Sequence, residues 1–375
     1  MSGRVRFCLM LAALLGATRN AAGAPGFALR PTSPEADWSY AGAKTATFDT
    51  PQGNVRIWYT TEGKHAPAGL VNGAVPASVS EAGAAAETAL ARYTELGFRE
   101  PVSDATSPCT DNGGDARLDV YLFDFNSADG TILVDGCSEQ QPAVCSGFAL
   151  VENDFASAYY ASAAQGFRTV VPHELFHLVQ QAYSDNGEAW WSEGTAQWAT
   201  QQVYPELSDL ERLLPAFFQR TERPLDLPPV GAAAGFSYGA AIWPVFLSEH
   251  VDATLPRQVF EALVGGATSV LGAADSALTF HGGLSARFAE FTRWNLATGK
   301  RAGAAGYTKA EQYPEVQLQE LGAALAGEVS GKLAGLSARY FASPGGALRR
   351  IDLAGDARRV GGWFVPLVAG AAQLE

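Results

Sequence analysis

Residues 166–183 read Gly-Phe-Arg-Thr-Val-Val-Pro-His-Glu-Leu-Phe-His-Leu-Val-Gln-Gln-Ala-Tyr. Wound as a helix, this stretch gathers Val170, Val171, Leu175, Leu178 and Val179 into the apolar surface that a buried helix requires. His173 and His177, at i and i+4, then share one face about a turn apart. Both imidazoles reach a single ion at the usual zinc–nitrogen distance of about 2.0–2.1 Å. Glu174 is rotated by about 100° from His173. That places it beside the ion without ligating it, where it accepts a proton from water that the metal acidifies. The chain has five histidines, so two of them bracketing a glutamate on one helix is a specific pattern. The competing reading is a helix whose two histidines pair with local carboxylates and hold nothing.

A catalytic zinc takes three protein ligands and keeps one position open. Downstream runs Trp190-Trp-Ser-Glu-Gly-Thr-Ala-Gln-Trp198, in which Glu193 is read on a second helix. The small Gly194 and Ala196 are expected to let that helix pack closely against the first. Fifteen residues separate His177 from Glu193, enough for one more turn, a reversal at Asp185-Asn186-Gly187 and a return. Glu188 is the rival ligand, placed in the turn. Glu193 is favoured because rigid elements hold ligands best.

His173-Glu-Leu-Phe-His177 followed by Trp191-Ser-Glu-Gly-Thr-Ala196 resembles the gluzincins, the thermolysin-like zinc peptidases, and within them a group of secreted bacterial metalloproteases. The resemblance runs from residues 54–60 through Val203-Tyr-Pro205 and Tyr238-Gly239 to Leu247-Ser-Glu249, with its specific part at 173–198. It implies an α+β catalytic domain of two lobes, with an upper mixed sheet, a lower helical lobe and the active-site helix between them. It implies Zn2+ on His173, His177 and Glu193, with Glu174 as general base. Tyr238, just before a helix, matches where such enzymes place an oxyanion-stabilising tyrosine; His250 is the other candidate. The chain departs from that pattern in three ways. Its His177–Glu193 spacing is short, and Gln197 stands where thermolysin has an aspartate behind its metal ligands, a carboxamide that can accept a histidine N–H but adds no charge. The Gly-x-Met-Glu-Asn element of the related aminopeptidases is replaced by Val151-Glu152-Asn153, which lies too near His173, so endopeptidase action is expected. Hydrolysis of another bond such as an ester, or a catalytically inactive zinc-binding or adhesion protein, are the alternatives.

Outward from the motif, residues 54–60, 117–125 and 147–152 read as strands, because they are rich in β-branched and aromatic residues between turn signals. Either of the latter two is a candidate edge for aligning an extended peptide. Pro76 to Leu96 is an alanine-rich helix stopped by Gly97. Helices are expected over 188–203, 207–219, 239–250, 255–264 and 284–297, and short strands over 326–334, 337–342, 347–353 and 360–368. The expected organisation is a leader at 1–24, an α/β lobe at 25–184, a helical lobe at 185–305 carrying the third ligand, and a β-rich region at 306–375.

The leader has basic Arg4 and Arg6, an apolar run from Phe7 to Ala17 too short to span a bilayer, and Ala22-Gly23-Ala24 as a cleavage site. Secretion is therefore expected, with no membrane insertion after its removal. The formal charge is −13, and −16 once Arg4, Arg6 and Arg19 are lost with the leader. Such a balance excludes nucleic acid and anionic membrane as partners, since both need basic patches, and leaves a peptide or protein substrate. Cys8 goes with the leader. Of Cys109, Cys137 and Cys145, the last two bracket a polar loop and are the expected disulfide in an oxidising compartment, with Cys109 an open alternative partner. The aspartates from Asp111 to Asp115 and Asp119 lack the residue order of a calcium loop; Asx turns account for them.

Overall fold

The computed structural model describes residues 27–374 apart from 72, 107–110, 142, 157–158, 185–187, 234, 321–332, 343–360, 363–364 and 369. The leader, Cys109 and the reversal at Asp185–Gly187 lie outside the described residues. The chain is α+β, with a mixed N-terminal sheet, then a helical region, then small C-terminal sheets. By contacts it divides into two compact units, residues 1–187 with 199–207, and residues 188–198 with 208–375.

The first unit is built on strands β1 (Thr45–Asp49), β2 (Val55–Thr60), β3 (Leu118–Phe123), β4 (Gly130–Cys137) and β5 (Cys145–Glu152), in the order β1-β2-β3-β5-β4. The pairs β2–β3 and β3–β5 are parallel, whereas β1–β2 and β4–β5 are antiparallel. Alternation decides the faces. Val55, Ile57, Val120, Leu122, Ala149 and Val151 are fully buried on one side. On the other, Tyr121, Phe123, Phe148 and Leu150 form an aromatic cluster with Tyr40, flanked by Trp38, Trp58 and Phe125. The stretches 117–125 and 147–152 are interior strands, and every residue of β5 is buried. The edges are β1 and β4, neither of which the strand signals had picked out. Gly136 and the polar turn beyond it masked β4, although Ile132-Leu133-Val134 carried its signal.

Helix α1 (Ala77–Glu95) buries Ala82, Ala85, Ala86, Ala89 and Tyr93, and packs against α2 (Ala163–Gln181) through these small side chains. Gly97 at φ 80° closes α1: its N–H donates to Thr94 and that of Phe98 to Tyr93, the hydrogen-bond pair that ends a helix on a left-handed glycine. Ser162 caps α2 by accepting from the Gln165 N–H, and Gln165 Oε1 accepts from the Ala161 N–H. The Tyr93 hydroxyl donates to the Pro172 carbonyl at 2.7 Å, tying α1 to the residue before His173. Cys137 and Cys145 face each other across β4–β5 and form a disulfide. On the far side of the sheet, Arg30 is 1% exposed. Its guanidinium donates to Asp104 at 2.5 Å, Asp119 at 2.5 Å and Asp135 at 2.6 Å, and lies over the Phe148 ring.

Helix α3 (Ala189–Val203) is continuous, with residues 199–203 in the first unit and 189–198 in the second. The second unit continues with α4 (Asp209–Leu213), α5 (Pro215–Phe218), α6 (Phe236–Gly239), α7 (Ile242–Phe246), a π-helical turn (Leu247–Val251), α8 (Leu255–Val264), α9 (Val270–Ala277) and α10 (Gly283–Leu296). The helices expected at 207–219 and 239–250 are each broken. Pro215 opens a new turn, since its ring prevents continuation of α4, and the second run starts earlier and ends in the π turn. Trp243, Phe246, Phe291 and Trp294 pack as the aromatic core. Two-stranded sheets follow: β6 (Leu318–Glu320) with β7 (Tyr340–Ala342), and β8 (Leu367–Val368) with β9 (Ala371–Ala372). The strands expected at 337–342 and 360–368 are thus short. The one expected at 347–353, and all but the end of 326–334, lie outside the described residues. Among the described residues no helix is long and apolar enough to cross a membrane.

Candidate metal centre

Helix α2 is held by α1 on one side and by β4 and β5 on another. It carries His173 and His177 one turn apart, as the spacing requires. Their Nε2 atoms lie 3.1 Å apart, with the rings crossed at 81°. Two nitrogens bound about 2.05 Å from a tetrahedral zinc stand about 3.3 Å apart, so the pair is already spaced for one ion. The ligand-type atoms of His173, His177 and Glu193 all lie within 4.8 Å of one another. Among the described residues this is the one group of histidine, cysteine, aspartate or glutamate side chains so placed. His173 and Glu193 are buried, and His177 is half-buried. Two imidazoles and one carboxylate form a donor set suited to zinc.

The orientation of His177 has a visible cause. Its Nδ1 lies 2.9 Å from Oε1 of Gln180, one helical turn further on. In the sequence the signal for this contact is a polar side chain set among Leu178, Val179 and Ala182. Gln197 donates through Nε2 to Asp209 at 2.7 Å, which also pairs with Arg212.

Glu174 is 5% exposed. Gly130, the first residue of β4, faces it: a Cβ at position 130 would come within 2.8 Å of Glu174 Cγ and Oε1 and 2.7 Å of Val170 Cγ1. The missing side chain is therefore what leaves the glutamate its room. No local pattern pointed to Gly130, because the approach arises from the packing of β4 on α2.

The rival ligand, Glu188, is spent elsewhere. One of its oxygens accepts from Trp190 Nε1 at 3.0 Å and the other from the Val270 N–H at 2.8 Å. Glu193 sits in the first half of α3, followed by Gly194, whose absent Cβ would lie 3.2 Å from Ala241 N and 3.3 Å from Ala240 C. The small residue after Glu193 thus admits the backbone at Ala240–Ala241. Tyr238 is buried in the short helix α6, two residues from that contact. His250 pairs through Nε2 with Glu290 at 2.6 Å and its ring centroid lies 4.1 Å from that of Trp294, so it ties the π-helical turn to α10. Asp111, Asn112 and Asp115 accept from the N–H two residues ahead, as Asx turns do.

No protein-family model matches this chain, and no curated protein does. The functional reading therefore rests on the chain's own residues.

Proposed function

We propose that the chain is a secreted zinc metallopeptidase of gluzincin type, with His173, His177 and Glu193 as ligands, Glu174 as general base and Tyr238 as oxyanion stabiliser. The observation that carries this reading is the convergence of two imidazoles and one buried carboxylate within 4.8 Å, next to a second buried glutamate that has no place among the ligands. Zinc held there would supply a Lewis acid and lower the pKa of a water molecule it binds to ~7. Glu174 takes the proton from water as it attacks the peptide carbonyl, and returns it to the leaving nitrogen.

Endopeptidase action is supported by the fate of Val151-Glu152-Asn153. Both Glu152 oxygens are engaged, by the Phe125 and Asn153 N–H groups at 2.9 Å each. Asn153 Nδ2 donates to the carbonyls of Lys64 and Ala66. These residues finish a strand, and leave no carboxylate to hold a peptide amine. The Cys137–Cys145 disulfide favours an oxidising, exported setting.

The test is metal content and proteolysis side by side. Wild type should hold one zinc and cleave an unfolded protein substrate. Glu193→Ala should lose the metal, whereas Glu174→Gln should keep it and lose activity by at least ~10²-fold, the usual scale for a general base. Zinc retained in Glu193→Ala removes the third ligand; hydrolysis retained in Glu174→Gln removes the base. Zinc bound by wild type without cleavage of any peptide library, but with ester hydrolysis, would move the substrate class.

A further inference from the structure

Gln180 is 6% exposed, on the face of α2 that carries His177. A buried carboxamide is costly unless its polar atoms are bonded, and its Oε1 lies 2.9 Å from His177 Nδ1. With the carboxamide oxygen turned toward the ring it accepts, and the neutral imidazole then carries its proton on Nδ1. Nε2 is then left with its lone pair, and Nε2 is the atom 3.1 Å from its counterpart on His173. We propose that Gln180 is the positioning residue of the metal centre: it locks His177 in the Nδ1–H tautomer and aims its Nε2 lone pair at the ion. The inference rests on the zinc reading of the triad and specifies what prepares one of its ligands.

The choice of residue has a chemical consequence. A partner of this kind fixes ring orientation and tautomer, and one that is charged also raises the basicity of the imidazole. Gln180 does the first without the second. Helix geometry supplies the rest: residues three apart on one helix are neighbours, so ligand and support move as one rigid piece. A glutamate at 180 has the same shape and keeps the acceptor. A leucine removes the acceptor and keeps the bulk.

The experiment compares wild type, Gln180→Leu and Gln180→Glu in two measurements. The first is zinc affinity, by competition with a chelator of known affinity. The second is the tautomer of His177 in metal-free protein at pH 8, read from nitrogen-15 chemical shifts and couplings. Wild type should show the Nδ1–H form. Gln180→Leu should lose that preference and bind zinc about 10–100-fold more weakly, the usual effect of removing such a partner. Gln180→Glu should restore the tautomer and bind zinc at least as tightly as wild type. Wild-type affinity in Gln180→Leu, or an Nε2–H tautomer in wild type, overturns the proposal. Should Gln180→Leu not fold, Gln180→Glu decides: zinc binding weakened tenfold or more would count against positioning by an acceptor. If wild type binds no zinc, the metallopeptidase reading falls, and the tautomers of wild type and Gln180→Glu still decide whether position 180 sets the imidazole.

Discussion

A methyl group at position 130 would collide with Glu174 and Val170, and of the two the glutamate is the longer and more flexible side chain, whereas a β-branched valine is stiff at χ1. Gly130→Ala should therefore displace the proposed base while leaving the three ligands in place. Because misplacing a reacting group by about 1 Å can cost ~10²-fold in rate, proteolysis should fall by at least tenfold with zinc content unchanged. An unaltered rate would show that Glu174 needs no such clearance. At this scale the sequence was readable where chemistry is local. His173, Glu174 and His177 lie within one turn, and helical spacing alone puts them together. The choice between Glu188 and Glu193 was open because both are carboxylates near the same helix start. The structure groups Glu193 with the two histidines and engages Glu188 with Trp190 and with Val270, the latter 82 positions away. Gly130 was hidden for the same reason.

Helices were more legible than strands. The expected spans of α1, α2, α3 and α8 match within a few residues, since each carries a sustained apolar period and the first ends on a true stop at Gly97. Strands β1 and β4 were missed: both are only part-buried and lie at a sheet edge, where the alternation that marks a buried face is weak. The tight contact between α3 and Ala240–Ala241 belongs to this scale too. Gly194→Ala gains about 1 kcal/mol of helix propensity, but its Cβ would press on backbone atoms at 3.2 and 3.3 Å that cannot rotate away. Overpacking typically costs about 1–3 kcal/mol, so the net expectation is destabilisation by about 1 kcal/mol, seen as a lower urea midpoint. The zinc affinity should fall with it, because Glu193 is the adjacent residue. A variant as stable as wild type would show that α3 shifts freely at this point.

Across the whole molecule, burial of acidic groups sets how stability responds to pH. Burial pushes Glu152 up to about 7, against the pull of the N–H groups of Phe125 and Asn153. It likewise pushes Asp119 to about 7, against the attraction of Arg30. A carboxyl raised in the folded state binds its proton more tightly there than in the unfolded chain. Its contribution is complete below the unfolded value near 4.5 and is lost as pH rises to about 7. For Glu152 the loss is on the order of 3 kcal/mol, at about 1.4 kcal/mol per pKa unit. The cost of Glu152→Gln, measured by urea unfolding, should therefore shrink between pH 5 and pH 8. A cost constant over that range would mean that Glu152 titrates like an exposed carboxyl.

Arg30 stands six residues beyond Ala24, and it reaches Asp104, Asp119 and Asp135 together. Removing one member of a buried ion pair typically costs about 3–5 kcal/mol, a large part of the stability of an ordinary domain. For anyone preparing the protein, the starting residue of a shortened chain is thus no matter of convenience. A version beginning at Pro25 should purify as a soluble monodisperse species, whereas one beginning at Thr32 should be recovered mainly from inclusion bodies. Soluble yield and far-ultraviolet circular dichroism of the two would show whether a single guanidinium sets the limit to trimming.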